Sequence, residues 1–232
     1  MAGFVPTAAY ILFILLNKEE YTRGFSSHKQ LNRALVHLHS YPGYFPSLKL
    51  VLSDQIEDLK ALGLGEGAES PFTKPDLRPP VSNAWAGASL STIETFVQAT
   101  WALDGHALDR TLYLVIDDEG LRDKTCILAE RIRSYEEKPS GDLETRWSGV
   151  HDYNRVRMPW NRATCMFNNL AIANMGFEDF IEDNDSDDNL ELPTADGQGR
   201  WWTAVDGESD MTAEEKQNEA EELARLEKEG LI

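Results

Sequence analysis

The chain has 232 residues, of which 41% are hydrophobic, and it carries 40 acidic against 22 basic side chains for a formal net charge of -18. This length suits one domain with extensions, and the apolar content is sufficient for a sizeable core. The excess of negative charge argues against a general nucleic-acid-binding protein, which needs a basic surface.

The negative charge is concentrated near the C-terminus. Residues 1–175 hold 21 acidic and 18 basic side chains, whereas residues 176–232 hold 19 acidic and 4 basic ones. This distribution predicts an almost neutral body followed by a polyanionic tail. Such a tail would attract a basic protein partner or serve solubility.

The first predicted element is the apolar run at residues 4–16, which charged residues end at 18–20. The run has no basic segment before it, as a secretory signal would, and it is too short to span a bilayer. We therefore predict a strand buried on both faces of a parallel or mixed sheet. A membrane or export segment is the alternative.

A predicted helix follows, capped by Ser26 or Ser27, and residues 48–52 form a second predicted strand before a short helix at 55–62. Residues 63–88 are rich in glycine and proline and are predicted to form an irregular surface excursion or a partner-binding loop.

The next predicted helix begins at Ser89 or Ser91 and buries an apolar face that includes Ile93, Phe96 and Val97. Ser91 and Glu94 have the spacing of a capping box, in which the serine and the glutamate satisfy free backbone N–H groups at the helix start.

The strongest predicted strand covers residues 111–116 and leads directly into three carboxylates, Asp117, Asp118 and Glu119. Carboxylates at the carboxyl edge of a parallel strand often hold Mg²⁺ or activate a nucleophile, which makes these three candidate catalytic residues. The alternative is a polar turn in which an aspartate caps the next segment. The following apolar run, residues 123–133, fits a helix or a strand.

A last strand at 155–158 precedes a predicted helix over residues 160–175, whose apolar side chains recur at spacings of three and four. Asn168, Asn169 and Asn174 lie in this helix although asparagine is a poor helix-interior residue. They are candidate contacts for a ligand or partner. The alternative is that they bond to neighbouring backbone and fix the helix in place.

The same region carries a family resemblance. Residues 155–160 read RVRMPW and residues 168–180 read NNLAIANMGFEDF. Together they resemble the C-terminal signature NNLxIANMxFEEF of an uncharacterised family of small microbial and fungal proteins. The resemblance is densest over residues 154–182 and weak elsewhere. It implies a fold unit and no particular chemistry.

The acidic segment after this helix resembles the first half of a calcium loop, because Asp183, Asp185 and Asp187 alternate. The sixth position is Asp188 where a glycine is needed, and the twelfth is Thr194 where a glutamate is needed. We predict a solvated acidic loop, with weak divalent-ion binding as the alternative.

Trp201 and Trp202 interrupt the polar tail. They are predicted to dock on the body or, alternatively, to form an exposed hot spot for a partner. Thr212 and Glu215 form a capping box, and residues 213–229 read as a charged helix with a thin apolar stripe. An isolated helix of this length is marginal in water, so it is predicted to be either frayed or bound to a partner.

The sequence therefore predicts a single α/β or α+β domain. It has a small mixed sheet of about four strands flanked by helices, and an acidic C-terminal tail that ends in a helix. The predicted body covers residues 1–202 and the predicted tail residues 203–232. The two cysteines, Cys126 and Cys165, lie among apolar residues and are predicted to be buried thiols, which favours a cytoplasmic or nuclear location.

The predicted function is a non-catalytic protein-interaction module that uses its acidic C-terminal region to bind a protein, with a basic partner fitting its charge. No cofactor, nucleic-acid partner or membrane association is expected. The alternative is a small divalent-metal-dependent enzyme with its site at Asp117, Asp118 and Glu119. A variant of the first hypothesis is an immunity-type protein whose acidic surface masks a basic toxin.

Overall fold

The computed structural model describes residues 9–15, 25–39, 48–55, 58, 75–78, 83–100, 108–137, 143–147, 149–171, 175–181, 200–204 and 212–232. Most of the predicted 63–88 excursion and the end of the predicted 55–62 helix lie outside these residues.

The strands are β1 (Ala9–Leu15), β2 (Leu48–Leu50), β3 (Leu108–Asp117), β4 (Thr125–Arg131), β5 (Arg133–Glu137), β6 (Leu143–Trp147), β7 (Tyr153–Pro159) and β8 (Arg200–Thr203). The helices are α1 (Phe25–His39), α2 (Leu90–Ala99), α3 (Asp118–Asp123), α4 (Trp160–Ala171) and α5 (Ala213–Lys228), with a 3₁₀ turn at Phe177–Phe180.

The main sheet has the strand order β2-β1-β3-β4-β7-β8, and β5 and β6 form a separate hairpin. Within this sheet only β4 runs antiparallel to its neighbours. The four central strands have 7 to 10 residues, whereas the edge strands β2 and β8 have 3 and 4. The predicted mixed sheet flanked by helices in a single domain is confirmed. The strands of this sheet beyond those predicted are β4, in the segment that fits a helix or a strand, and β8 at one edge.

Helices cover both faces of this sheet. One face packs against α1 and α4, and its core includes Leu12 and Ile14 of β1. The other face packs against α2 and includes Phe13 of the same strand. Since alternate residues of a strand point to opposite faces, β1 is buried on both sides, as its continuous apolar run predicts.

The ambiguous segment after the acidic strand end forms the short helix α3 and then the strand β4. Lys124 separates them in the left-handed conformation, with φ 58, and its N–H donates to the carbonyl of Gly120. This cap ends α3 after two turns at most, so the apolar residues that follow continue as a strand in the middle of the sheet.

The C-terminal helix α5 lies against α1 through a small apolar cluster of Val36, Leu226 and Leu231. Asn32, fully buried in α1, donates from Nδ2 to the carbonyl oxygen of Leu231 at 2.9 Å. The predicted terminal helix is therefore present, and within this chain α1 supplies the surface that holds it. Among the described helices, none is both long and apolar enough to cross a membrane.

Candidate functional site

The predicted acidic site, Asp117 to Glu119 at the end of β3, is bound by an arginine from β7. Arg157 donates to both carboxylate oxygens of Asp117, with Nη1 2.9 Å from Oδ1 and Nη2 2.6 Å from Oδ2. Asp117 also caps α3 by accepting from the N–H of Gly120 at 2.7 Å. Glu119 lies 3.3 Å from the same guanidinium. The arginine thus joins β3 to β7 across the intervening β4.

These contacts determine the charge state of Asp117. Burial acts to raise the pKa of its carboxyl, but the hydrogen bonds from Arg157 and Gly120 and the charge of the arginine outweigh burial, and the pKa is lowered. Both oxygens of the ionised carboxylate are already engaged. The described residues contain no group of three or more His, Cys, Asp or Glu side chains that could hold a metal ion. The geometry favours a structural clasp at this strand end.

The candidate asparagines divide between different environments. On α4, Asn169 donates from Nδ2 to the carbonyl oxygen of Cys165 at 2.9 Å, one turn earlier in its own helix. Asn168 is half-buried, and its Oδ1 has no hydrogen-bond partner among the described residues. Asn174 lies outside the described residues. A contact role for the three side chains stays a prediction.

The aromatic pair of the tail lies in β8. Trp201 and Trp202 are in parallel register with Arg155 and Val156 of β7, so their backbone is part of the main sheet. Whether the two side chains dock or stay exposed remains a prediction. Asp183, Asp185 and Asp187 lie outside the described residues.

The two cysteines are free thiols. Cys126 is buried in β4, and burial raises the pKa of its thiol to about 12. Cys165 is half-buried on α4. At neutral pH a thiol such as Cys126 is protonated and unreactive.

A different set of residues forms a buried polar cluster that sequence reasoning missed. Its centre is Glu94 of α2, which is 0% exposed. The start of α2 is capped by Ser89, whose side chain accepts from the N–H of Thr92. The capping-box role predicted for Ser91 and Glu94 is therefore wrong, because Glu94 lies one turn inside the helix and points into the core.

Glu94 accepts hydrogen bonds through both carboxylate oxygens. Oε1 accepts from the hydroxyl of Tyr113 at 2.8 Å and from Nε and Nη2 of Arg155, with Nε at 3.1 Å. Oε2 lies 3.0 Å from Nδ1 of His151. We define the Glu94 cluster as Glu94, Tyr113, His151 and Arg155. The cluster joins α2, β3, β7 and the turn before β7.

The burial of the cluster makes its hydrogen bonds important for stability. Arg155 is 2% exposed, so an ion pair inside the protein compensates for the loss of hydration of Glu94. Burial, and then the neighbouring Glu94 charge, raise the pKa of Tyr113 well above its usual value. The Tyr113 hydroxyl therefore remains protonated and acts as a donor to the carboxylate.

A second layer of polar contacts adjoins the cluster. Gln98, one turn after Glu94 on α2, donates from Nε2 to the Tyr153 hydroxyl at 2.8 Å. Its Oε1 accepts from Nη1 of Arg131 at 2.9 Å. These contacts tie α2 to β4 and β7 at a second point and fix the position of the helix over the sheet.

His151 connects the Glu94 cluster to a surface groove of about 400 Å³. Its side chain is 34% exposed, whereas that of Glu94 is fully buried. Trp85, Phe96 and Ala99 form apolar walls of the groove. Further lining groups are the hydroxyl side chains and a single carboxylate, namely Ser91, Thr92, Thr95 and Asp54.

The cluster determines which hydrogen bonds His151 offers to the groove. An ionised carboxylate only accepts hydrogen bonds, so Nδ1 of His151 carries the proton that lies toward Glu94. In the neutral ring this leaves Nε2 as an acceptor or base. A carboxylate that holds one nitrogen in this way fixes the orientation of the ring. The groove therefore contains one oriented acceptor beside apolar walls.

Comparison with known families gives a match that covers both polar sites. A family model described as Domain of unknown function (DUF6924) matches residues 59–191, more than half of the chain. No curated protein and no solved structure matches the chain. The matched region includes the whole Glu94 cluster and the Asp117–Arg157 pair, whereas β8 and α5 lie beyond it.

Proposed function

The chain belongs to this family of domains of unknown function, and we propose that it is a non-catalytic protein-interaction module that contacts a basic partner through its acidic C-terminal region. The observation that carries the proposal is the position of β8. This strand adds to the edge of the sheet beside β7, and acidic segments precede and follow it.

The two segments that flank β8 are uniformly acidic. Residues 182–199 contain seven acidic and no basic side chains, and residues 205–211 contain three acidic and no basic ones. Ile181, directly before the first segment, forms a bridge with Ala204, directly before the second. The described residues that border the two segments are thus joined to each other next to β8, and we propose that the segments present their charge beside this surface.

The helix α5 contributes less to the negative charge. Its residues 213–228 hold six acidic and three basic side chains. Arg225 pairs within the helix with Glu222 at 2.7 Å and with Glu229 at 2.8 Å. The excess anionic charge of the region therefore lies mainly in the two segments beside β8, which supports them as the contact surface.

The alternative, a divalent-metal enzyme at Asp117, Asp118 and Glu119, has less support. A metal site needs carboxylate oxygens free to coordinate, and Arg157 engages both oxygens of Asp117.

The proposal also includes a division of the chain into a body at residues 1–202 and a tail at residues 203–232. It further includes a cytoplasmic or nuclear location.

The proposal can be tested by affinity purification with quantitative mass spectrometry. One variant changes Asp183, Asp185 and Asp187 to asparagine. A matched control changes Glu214, Glu221 and Glu227, which are exposed on α5, to glutamine. Both raise the net charge by the same amount. Wild type and the control should capture a basic protein in a salt-sensitive manner, and the aspartate variant should capture less of it. Equal capture of the same proteins by all three would refute the proposal.

A further inference from the structure

We propose that the groove over α2 is a binding site for a small uncharged aromatic molecule with a hydroxyl group, and that His151 accepts the hydrogen bond of that hydroxyl. This site is separate from the acidic segments of the proposed interaction surface and does not depend on them. The argument rests on the orientation of His151, the chemistry of the walls, the size of the groove and its charge.

The orientation of His151 comes from the Glu94 cluster. Glu94 is already neutralised by Arg155 and receives a further hydrogen bond from Tyr113. The core therefore does not need the third contact, with the half-exposed His151, to balance the buried charge. Nη2 of Arg155 also donates to the carbonyl oxygen of His151 at 3.3 Å, which holds the backbone of this residue. Ring and backbone are thus both fixed, and the free nitrogen is a preorganised acceptor.

The walls select an aromatic ligand. Trp85 and Phe96 line the groove, and their rings pack against each other edge-to-face, with centroids 4.9 Å apart. Aromatic rings favour further aromatic neighbours in offset or edge arrangements. The volume of about 400 Å³ lies within the range of small-molecule sites, roughly 300–1,000 Å³.

The polar groups select against anions. Asp54 lines the groove and is exposed, so a negatively charged ligand would be repelled. The acceptor nitrogen of His151 needs a donor from the ligand, and a carboxylate offers none. A phenolic hydroxyl satisfies both conditions because it is uncharged and donates directly from the edge of an aromatic ring.

The test uses three probes with one ring and one methyl group in common: 4-methylphenol, 4-methylanisole and 4-methylbenzoate. Binding to the full chain is followed by NMR through the His151 ring and the Trp85 indole signals. We expect saturable shifts with 4-methylphenol and binding weaker by roughly tenfold for 4-methylanisole, which lacks the donor. The benzoate should bind more weakly still.

Three variants test whether the probes bind in this groove. Ala99→Leu adds bulk to a wall of the groove at an exposed helix position, and Ala224→Leu makes the same change on the exposed side of α5. The first should weaken 4-methylphenol binding at least tenfold, and the second should leave it unchanged. His151→Asn should remove the preference for 4-methylphenol over 4-methylanisole. Equal binding of these two probes to wild type, or unchanged binding to Ala99→Leu, would overturn the proposal.

Discussion

The buried ion pair at the centre of the Glu94 cluster should cost much more stability when one partner is removed than when both are removed. Glu94 is 0% and Arg155 2% exposed. Arg155→Met leaves the carboxylate with only Tyr113 and His151, and Glu94→Leu leaves a buried guanidinium without its counterion. Breaking a buried pair in this way costs about 3–5 kcal/mol, because the remaining buried charge has lost its ion-pair partner and is not hydrated.

The double variant Glu94→Leu/Arg155→Met removes both charges. The main residual penalty is then the Tyr113 hydroxyl, a buried donor without its acceptor, which costs about 1–3 kcal/mol. The double variant should therefore be no less stable than either single variant. The coupling free energy, the difference between the summed single effects and the double effect, should be at least about 3 kcal/mol.

Urea denaturation followed by circular dichroism gives the free energies of unfolding for this cycle. Arg225→Met is the matched control, because it removes an arginine from exposed ion pairs on α5 and should leave the unfolding midpoint almost unchanged. Two results would show that Glu94 and Arg155 are not an energetically coupled buried pair. One is that the losses of unfolding free energy in the two single variants add up to that of the double variant. The other is that each single loss is no larger than that of the control.

Two further predictions concern the Asp117 clasp and the docking of α5. Because the pKa of Asp117 is lowered in the folded state, its contribution to stability is present above the unfolded pKa of about 3.9 and is lost as the pH falls below that value. The stability difference between wild type and Arg157→Met, taken from urea midpoints at several pH values, should therefore shrink on acidification, and a difference that stays constant would contradict the assignment. Leu226→Ala, in the fully buried contact between α5 and α1, should cost about 2–3 kcal/mol and increase amide hydrogen exchange throughout α5. Unchanged exchange in α5 would mean that this contact does not hold the helix.

Local patterns in the sequence are sufficient to predict most of the central strands of the fold. The continuous apolar runs of β1 and β3 predict strands, that of β1 buried on both faces, and the structure confirms both strands and the burial of β1. Residues 123–133 could not be assigned, because short apolar runs fit either element. The deciding feature was the left-handed cap at Lys124, a residue type that carries no strong turn signal. The placement of β8 beside β7 depends on contacts across more than forty residues of chain.

The candidate site was harder to predict because its partners are distant in sequence. Glu94 lies 57 residues from His151 and 61 from Arg155 along the chain. Its local spacing from Ser91 fits a capping box, so the sequence predicts a capping role for the carboxylate. Asp117 was recognised from its place at a strand end, but the partner that defines its role, Arg157, is 40 residues away. In both cases the ionisable group can be recognised in the sequence. The distant residue that it contacts, which determines its role, cannot.

The arginines of β7 bear on the proposed role of the acidic segments that flank β8. Arg155 and Arg157 are two residues apart on one strand and lie on the same face of the sheet, where they pair with Glu94 and Asp117. They are also the residues of β7 in register with Trp201 and Thr203 of β8. Their charges are therefore compensated from within the body, and these two arginines of the strand beside β8 are already engaged by other carboxylates. If the acidic segments bind a basic partner as proposed, the attraction is between opposite charges, so capture of the partner should weaken as the salt concentration rises.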